Sequence, residues 1–302
     1  MYDLIIIGGG PAGLTASIYA IRKRLNVLTI TMDMGGKTNY HLKLPWIQEY
    51  QVIRGGELVS KFQQELEYLE FAHRKDKVTK VNQTPEGYSV ETLSGEVFNT
   101  KSLIVANGVS TRWLETPGEK EFVGKGICYS AISYAPLFID KITSVVGEGD
   151  LALRSAAELS TVAKTVHLIG PSGDILDGEL GKKLQTLENV VIFPGYKISK
   201  ISGNDFANHI ALQGPNMEIK ELDTDCVFVE KELIPNTEPV KNLVELDSQG
   251  RIIINSYNQT SLPGVFAAGD ITNIYAEQVL VAIGEGAKAA LSAYDYLLRI
   301  KN

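Results

Sequence analysis

The sequence predicts an α/β protein built from two doubly wound, three-layer domains, one inserted in the other. Three observations predict this. A strand, a glycine turn and a helix succeed one another near the start, the same succession recurs in mid-chain, and a strand-like run followed by a long helix closes the chain. Recurrence of a whole βαβ unit marks a duplicated architecture, and alternating strands and helices mark parallel sheets covered on both faces.

Residues 2–7 are a continuous apolar run rich in isoleucine, as a strand buried on both faces requires. Gly8-Gly9-Gly10-Pro11-Ala12-Gly13 then reads as a turn, 14–21 as a helix and 26–31 as a second β-rich run. In mid-chain, 142–146 read as a strand, Gly147-Glu148-Gly149-Asp150-Leu151-Ala152 as the turn, 153–163 as the helix and 165–169 as the returning strand. Between the repeats, 101–108 form an apolar strand ending in Ala106-Asn107-Gly108. Pro117-Gly118, Gly124 and Gly126 punctuate one interdomain crossing, and Ile234-Pro235-Asn236 marks the other. Residues 264–270 read as another buried strand and 278–298 as a long helix. The expected division is 1–112 with 238–302 for a discontinuous first domain, and 116–235 for the inserted one.

Composition narrows the function classes. Of 302 residues 44% are apolar and 22% charged, the balance of a globular protein. No apolar run approaches the roughly 20 residues that span a bilayer, so no membrane partner is expected. A formal net charge of -7 argues against nucleic acid, which needs a basic face. Cys128 and Cys226 lie far apart, giving neither a disulfide framework nor a CxxC, and no metal site is expected. A strand beginning almost at Met1 leaves no room for a secretory signal, so the expected location is cytoplasmic.

Gly8, Gly10 and Gly13 form GxGxxG between a strand and a helix, with Pro11 and Ala12 inside the turn. The first glycine permits the tight turn, the second lets a pyrophosphate approach the backbone, and the third lets helix pack on strand. The helix N-terminus favours the anion. This predicts a Rossmann-like dinucleotide site. The acid that ordinarily ends the second strand to hold a ribose is replaced by Thr31. Asp33 either substitutes for it or is a solvated loop aspartate.

Thr260-Ser261-Leu262-Pro263-Gly264-Val265-Phe266-Ala267-Ala268-Gly269-Asp270, with Glu277-Gln278-Val279 after it, resembles the second FAD signature of low-molecular-weight thioredoxin reductases. These belong to the FAD-dependent pyridine nucleotide-disulfide oxidoreductases. Ala106-Asn107-Gly108 resembles their central Ala-Thr-Gly, and the resemblance extends over nearly the whole chain. It implies FAD as cofactor, Asp270 bonding the ribitol, and the N–H groups of Gln278 and Val279 facing the flavin's pyrimidine edge. A helix N-terminus there suits the negative charge of a reduced flavin. Gly35-Gly36-Lys37 resembles the family's Gly-Gly-Gln flavin loop, with lysine for glutamine. The family's next segment is not recognisable. Tyr40, His41, Pro45, Trp46 and Tyr50 stand there instead, either as loop packing or as an altered flavin environment with His41 a candidate proton donor.

The family's Tyr-Cys-x-x-Cys-Asp is replaced by Tyr129-Ser130-Ala131-Ile132-Ser133-Tyr134. Disulfide exchange needs a thiolate and a reversible S–S bond, and two hydroxyls form neither. Thioredoxin reduction at this site is therefore excluded, although Ser130, Ser133 and Tyr134 keep the position of the redox motif. Cys128 is either a lone reactive thiol or a small buried hydrophobe, and Cys226 reads as structural.

Gly147, Gly149 and Ala152, enclosing Asp150 and Leu151, match the family's GxGxxA nicotinamide-nucleotide loop. The family's NADPH-selecting arginines are replaced by Gly170-Pro171-Ser172, and no acid for an NAD ribose is present. Three readings stay open: weak or NADH-tolerant binding, a different ligand, or a domain kept for packing. Lys182 and Lys183 either meet a phosphate or form a solvated helix face.

The function expected from these features is an FAD-dependent oxidoreductase without a disulfide relay, moving electrons between NAD(P)H or an electron-transfer protein and an acceptor. The alternatives are a flavin-binding sensor that has lost catalysis and a ferredoxin-linked flavoprotein that makes no use of NAD(P)H. The resemblance implies a homodimer. An acidic ferredoxin would need a basic patch, for which Arg22-Lys23-Arg24 and Arg74-Lys75 are the candidates.

Overall fold

The structure, a computed structural model, describes residues 1–39, 42–47, 55–129 and 131–300. The chain opens with β1 (Tyr2–Ile7), α1 (Pro11–Arg22), β2 (Val27–Thr31), α2 (Gly55–Tyr68), β3 (His73–Lys75), β4 (Val78–Thr84), β5 (Gly87–Thr92), β6 (Val97–Val105) and β7 (Val109–Thr111). Next come α3 (Glu119–Phe122), β8 (Ile127–Cys128), α4 (Ala131–Tyr134), β9 (Ile142–Val146), α5 (Asp150–Ser160), β10 (Thr165–Ile169), α6 (Gly173–Leu176) and α7 (Glu179–Gln185). The remainder is β11 (Val190–Phe193), β12 (Lys197–Gly203), β13 (Ala207–Gln213), β14 (Ile219–Asp223), β15 (Cys226–Val229), β16 (Leu233–Pro235), β17 (Val265–Ala267) and α8 (Val279–Ile300). Two compact units result, one of Met1–Asn39, Val52–Ser110 and Ile234–Asn302, the other of Tyr40–Gln51 and Thr111–Leu233. The described residues 42–47, expected within the first domain, group with the second unit.

In the first unit the sheet order is β3-β2-β1-β6-β5-β4, with β17 also on β6. β1 lies between parallel β2 and β6. Leu4, Ile5 and Ile6 are fully buried, which explains their unbroken apolar run. On one face, Ala12, Ala16 and Ala20 of α1 pack with Ala282, Ala289, Ala290 and Ala293 of α8. Small side chains let the two helices approach closely. A Cβ at Gly286 would lie 2.1 Å from the Ala12 carbonyl oxygen, so that position has no room for a side chain. The other face is covered by Val240, Val244 and Ile252. β4, β5 and β6 form an antiparallel meander that the sequence reading did not anticipate. Half-buried β4 carries only two valines in seven residues, too few to show strand period clearly.

In the second unit the sheet β11-β10-β9-β15-β8 is parallel throughout. Helix α5 covers one face through Ala152, Leu153, Ala156 and Leu159. The antiparallel sheet β12-β13-β14 supplies Ile198, Ile201, Ile210 and Leu212 to the other. Each unit is thus a layered α/β body, as the two glycine-loop repeats predict.

Helix boundaries differ from expectation, α1 running over Pro11–Arg22 rather than 14–21. Helix α5 starts at Asp150 rather than 153, because extended Gly149 (φ −114°, ψ −172°) is its N-cap, and it ends at Ser160 rather than 163. An acid in the first turn suits the positive end of the helix dipole. α8 starts at Val279, after Gln278, whose carbonyl accepts the Ala282 N–H at 2.9 Å. No helix among the described residues is long and apolar enough to cross a membrane.

Candidate functional site

The first glycine loop joins β1 to α1 and is shaped by two contacts. Gly8 adopts φ +112°, and a Cβ there would meet the Ala106 carbonyl oxygen at 2.3 Å. A Cβ at Gly13 would meet the Gly8 carbonyl oxygen at 1.9 Å. Gly10 differs, since a Cβ there would find nothing within 4 Å. Gly10 is also the extended N-cap of α1, with no side-chain cap and with Pro11 in the first turn. First-turn N–H groups have no intrahelical acceptor. The loop therefore leaves an open, electropositive recess beside Gly10, suited to a phosphate.

Neighbouring residues frame that recess. A Cβ at Gly36 would lie 3.2 Å from the Gly10 Cα, and one at Gly269 would lie 3.0 Å from the Ala12 Cβ. Lys37 and Asp270, the residues after those glycines, are bonded to each other, Nζ to Oδ2 at 2.8 Å. Asp270 is the more buried partner. Arg251, which no motif singled out, donates from Nη1 to the Asp270 carbonyl at 2.9 Å and pairs through Nη2 with Glu277. A lone arginine outside any recognisable spacing offers no signal in the sequence. Gly9 was also missed, although a Cβ there would meet the Thr31 hydroxyl at 2.6 Å.

Thr31 ends β2 and spends its hydroxyl on the Asp33 carbonyl at 2.5 Å, while Asp33 itself is exposed. Asn107 and Asn236 bond reciprocally, Asn236 Nδ2 to the Asn107 carbonyl at 2.9 Å and Asn107 Nδ2 to the Asn236 carbonyl at 3.4 Å. Asn107 Oδ1 is buried without a hydrogen-bond partner among the described residues. Such an acceptor is costly unless a ligand donates to it. Gly108 follows at φ +63°. At the start of α8 the Gln278 N–H donates to the Ala276 carbonyl at 3.0 Å, so this expected flavin donor is already engaged; Val279 opens the helix.

In the second unit Gly147 must lack a side chain, because a Cβ would lie 2.2 Å from the Glu230 carbonyl oxygen and 2.8 Å from the Ala152 Cβ. Gly149 is open in the same sense as Gly10. Glu148 and Asp150 are exposed on this loop, and Asp150 pairs with Arg154 at 2.6 Å; half-buried Leu151 follows. The Ser172 N–H meets the Glu148 carbonyl at 3.4 Å, which ties the turn 170–172 to the loop. Lys182 and Lys183 are exposed on α7.

Ser130 lies outside the described residues, as do Tyr40, His41 and Tyr50. Ser133 is exposed and Tyr134 half-buried on the single turn α4. Buried Glu230 accepts the Ala131 N–H at 2.7 Å and so fixes the start of that turn; sequence reading missed it. Both cysteines are buried, and neither forms a disulfide among the described residues. Burial pushes the Cys226 thiol well above its ordinary value, which keeps it protonated and inert. Trp46 packs edge-on against Phe138, with centroids 5.6 Å apart, and donates to the Leu137 carbonyl at 3.0 Å. Its role in this unit is packing. A groove of about 450 Å³ in the second unit is lined by Ile142, Asn208, His209, Asp223, Thr224 and Asp225, none of them singled out from the sequence. No metal-binding group occurs among the described residues.

The basic clusters are partly committed. Arg22 pairs with Glu65 at 3.1 Å, Arg74 pairs with Glu96 at 2.5 Å, and Lys23 lies over the Tyr294 ring.

A family model described as pyridine nucleotide-disulphide oxidoreductase matches residues 2–286. An alkyl hydroperoxide reductase component from Pseudomonas aeruginosa is 32% identical over 305 residues, covering 99% of this chain and 58% of that protein. The chain thus spans about three fifths of that relative's length. Thioredoxin reductase from Streptococcus pyogenes superposes with a TM-score of 0.90 at 30% identity, covering 99% of both chains. The Giardia duodenalis enzyme does so with a TM-score of 0.88 at 26% identity, covering 98% of this chain and 99% of its own. These likenesses agree with the glycine loops in kind and order: the chain is a thioredoxin reductase-like flavoprotein with Rossmann-like domains and belongs to the pyridine nucleotide-disulphide oxidoreductase family.

Proposed function

We propose that this chain is an FAD-dependent oxidoreductase that carries electrons between NAD(P)H, or an electron-transfer protein, and an acceptor through the flavin, without a disulfide relay. The observation that carries the proposal is an open recess beside Gly10, at the start of α1, in a chain whose two cysteines are separate and buried. Gly8, Gly10, Pro11, Ala12, Gly13, Gly36 and Gly269 suit the pyrophosphate end of FAD, since Gly10 is open where Gly8 and Gly13 are crowded. The orphaned Asn107 Oδ1 suits a donor on the same ligand. Lys37, Asp270, Glu277, Gln278 and Val279 complete the proposed set, with Thr31, Ala106 and Gly108 shaping its walls. FAD bound there supplies the two-electron chemistry. The start of α8 favours negative charge on the reduced ring. A homodimer, a ferredoxin-like donor and a cytoplasmic location belong to the same proposal.

The experiment is an anaerobic titration of the flavoprotein, first with NADH and then with NADPH, following the visible flavin band. Rapid stoichiometric bleaching by either is the expected result. Bleaching by neither, with dithionite still effective, overturns the nicotinamide arm. Exposed Glu148 on the second glycine loop favours one other reading, because its charge opposes a pyrophosphate. On that reading the electrons come only from an electron-transfer protein, and reduced ferredoxin bleaches the band where NAD(P)H does not. A flavin-binding sensor would respond to neither.

A further inference from the structure

The first unit holds a charge arrangement that the family's glutamine could not provide. Asp270 and Glu277 bring two negative charges, and Lys37 and Arg251 bring two positive ones. Arg251 is committed to Glu277 and to the Asp270 carbonyl. The Asp270 carboxylate is therefore balanced by Lys37, at 2.8 Å. Both partners stand beside the recess, each immediately following a glycine, Gly36 packed on the N-cap Gly10 and Gly269 packed on Ala12 of α1. A carboxylate there without its cation would repel an anionic ligand entering that turn.

Building on the flavin reading, we propose that Lys37 is a positioning residue for FAD that acts as the counter-ion of Asp270. It cancels the carboxylate charge and aims the Oδ2 atom, so that a pyrophosphate dianion can settle against the N-terminus of α1. Lys37 acts through Asp270 and not by gripping the phosphate. Its effect on the cofactor therefore depends on the carboxylate being present.

The test compares full-length flavoprotein with K37Q, K37R, D270N and the double variant K37Q/D270N. Each holoprotein is diluted over a range of concentrations, and released FAD is read by flavin fluorescence at low and high NaCl. Expected results are FAD held about tenfold more weakly in K37Q at low salt, a smaller deficit at high salt as repulsion is screened, and near wild-type retention in K37R. In the D270N background the K37Q loss should largely disappear. An unchanged Kd in K37Q overturns the inference, as does an undiminished loss in the double variant, which would mean direct phosphate contact. Should the wild-type chain hold no FAD, the flavin reading itself falls. Should it hold FAD regardless of Lys37, only this inference falls. Lys37 is exposed, so K37Q stripped of FAD should unfold at the same midpoint as FAD-free wild type.

Discussion

Gly10 and Gly13 belong to one loop yet answer to different neighbours. Replacing Gly13 by alanine sets a methyl 1.9 Å from the Gly8 carbonyl oxygen, so G13A should lose folded protein as well as flavin. Replacing Gly10 by alanine meets no protein atom within 4 Å, and its φ of −74° suits any residue. Its stability without FAD should stay within about 0.5 kcal/mol of wild type, while FAD affinity falls about tenfold or more because the methyl fills the recess. Thermal unfolding and flavin content measured together separate the two. The glycines were legible because spacing alone encodes them. Arg251, Glu230 and Gly9 were not, because their roles depend on partners brought close only by folding. At His167, burial holds the imidazole below its ordinary value of 6.5. The unfolded chain therefore takes up this proton first as pH falls. The stability His167 protects is fully present above that ordinary value and is lost on acidification through the window beneath it. H167F should flatten that part of the Tm-against-pH curve.

Elements with a long apolar run or a glycine turn were readable almost to the residue: β1, β9 and β10 coincide with their expected spans. The short antiparallel strands β12, β13 and β14 were not, since half-exposed strands alternate weakly and lack a turn motif of their own. The α1–α8 contact was hidden because alanines and a glycine look like generic helix interior until a second helix meets them. G286L should cost about 1–3 kcal/mol, since a side chain would collide with the Ala12 backbone. It should also loosen flavin, because Ala12 belongs to the first turn of α1. Loss of Trp46 belongs to this scale too. W46A removes its edge contact with Phe138 and the bond to Leu137, and should cost the second unit about 2 kcal/mol. Urea unfolding followed by circular dichroism reads both.

Over the whole molecule, two glycine-loop units recur in one chain, and the fold follows from that repeat. The proposed chemistry follows from the serines that stand where the resembled family carries its redox cysteines. Family members that reduce disulfides store electrons in a flavin and in a cysteine pair. Here Cys226 is held protonated by burial, Cys128 is buried, and serine stands at both positions of the redox motif. C128A should leave flavin reduction unchanged, and stopped-flow absorbance checks this. The most direct test counts electrons. The purified flavoprotein is titrated anaerobically with dithionite until the flavin band is fully bleached and no further reductant is consumed. A flavin acting alone takes up about two electrons per FAD, the result predicted here. Uptake of about four electrons per FAD would reveal a reducible disulfide and contradict a relay-free enzyme.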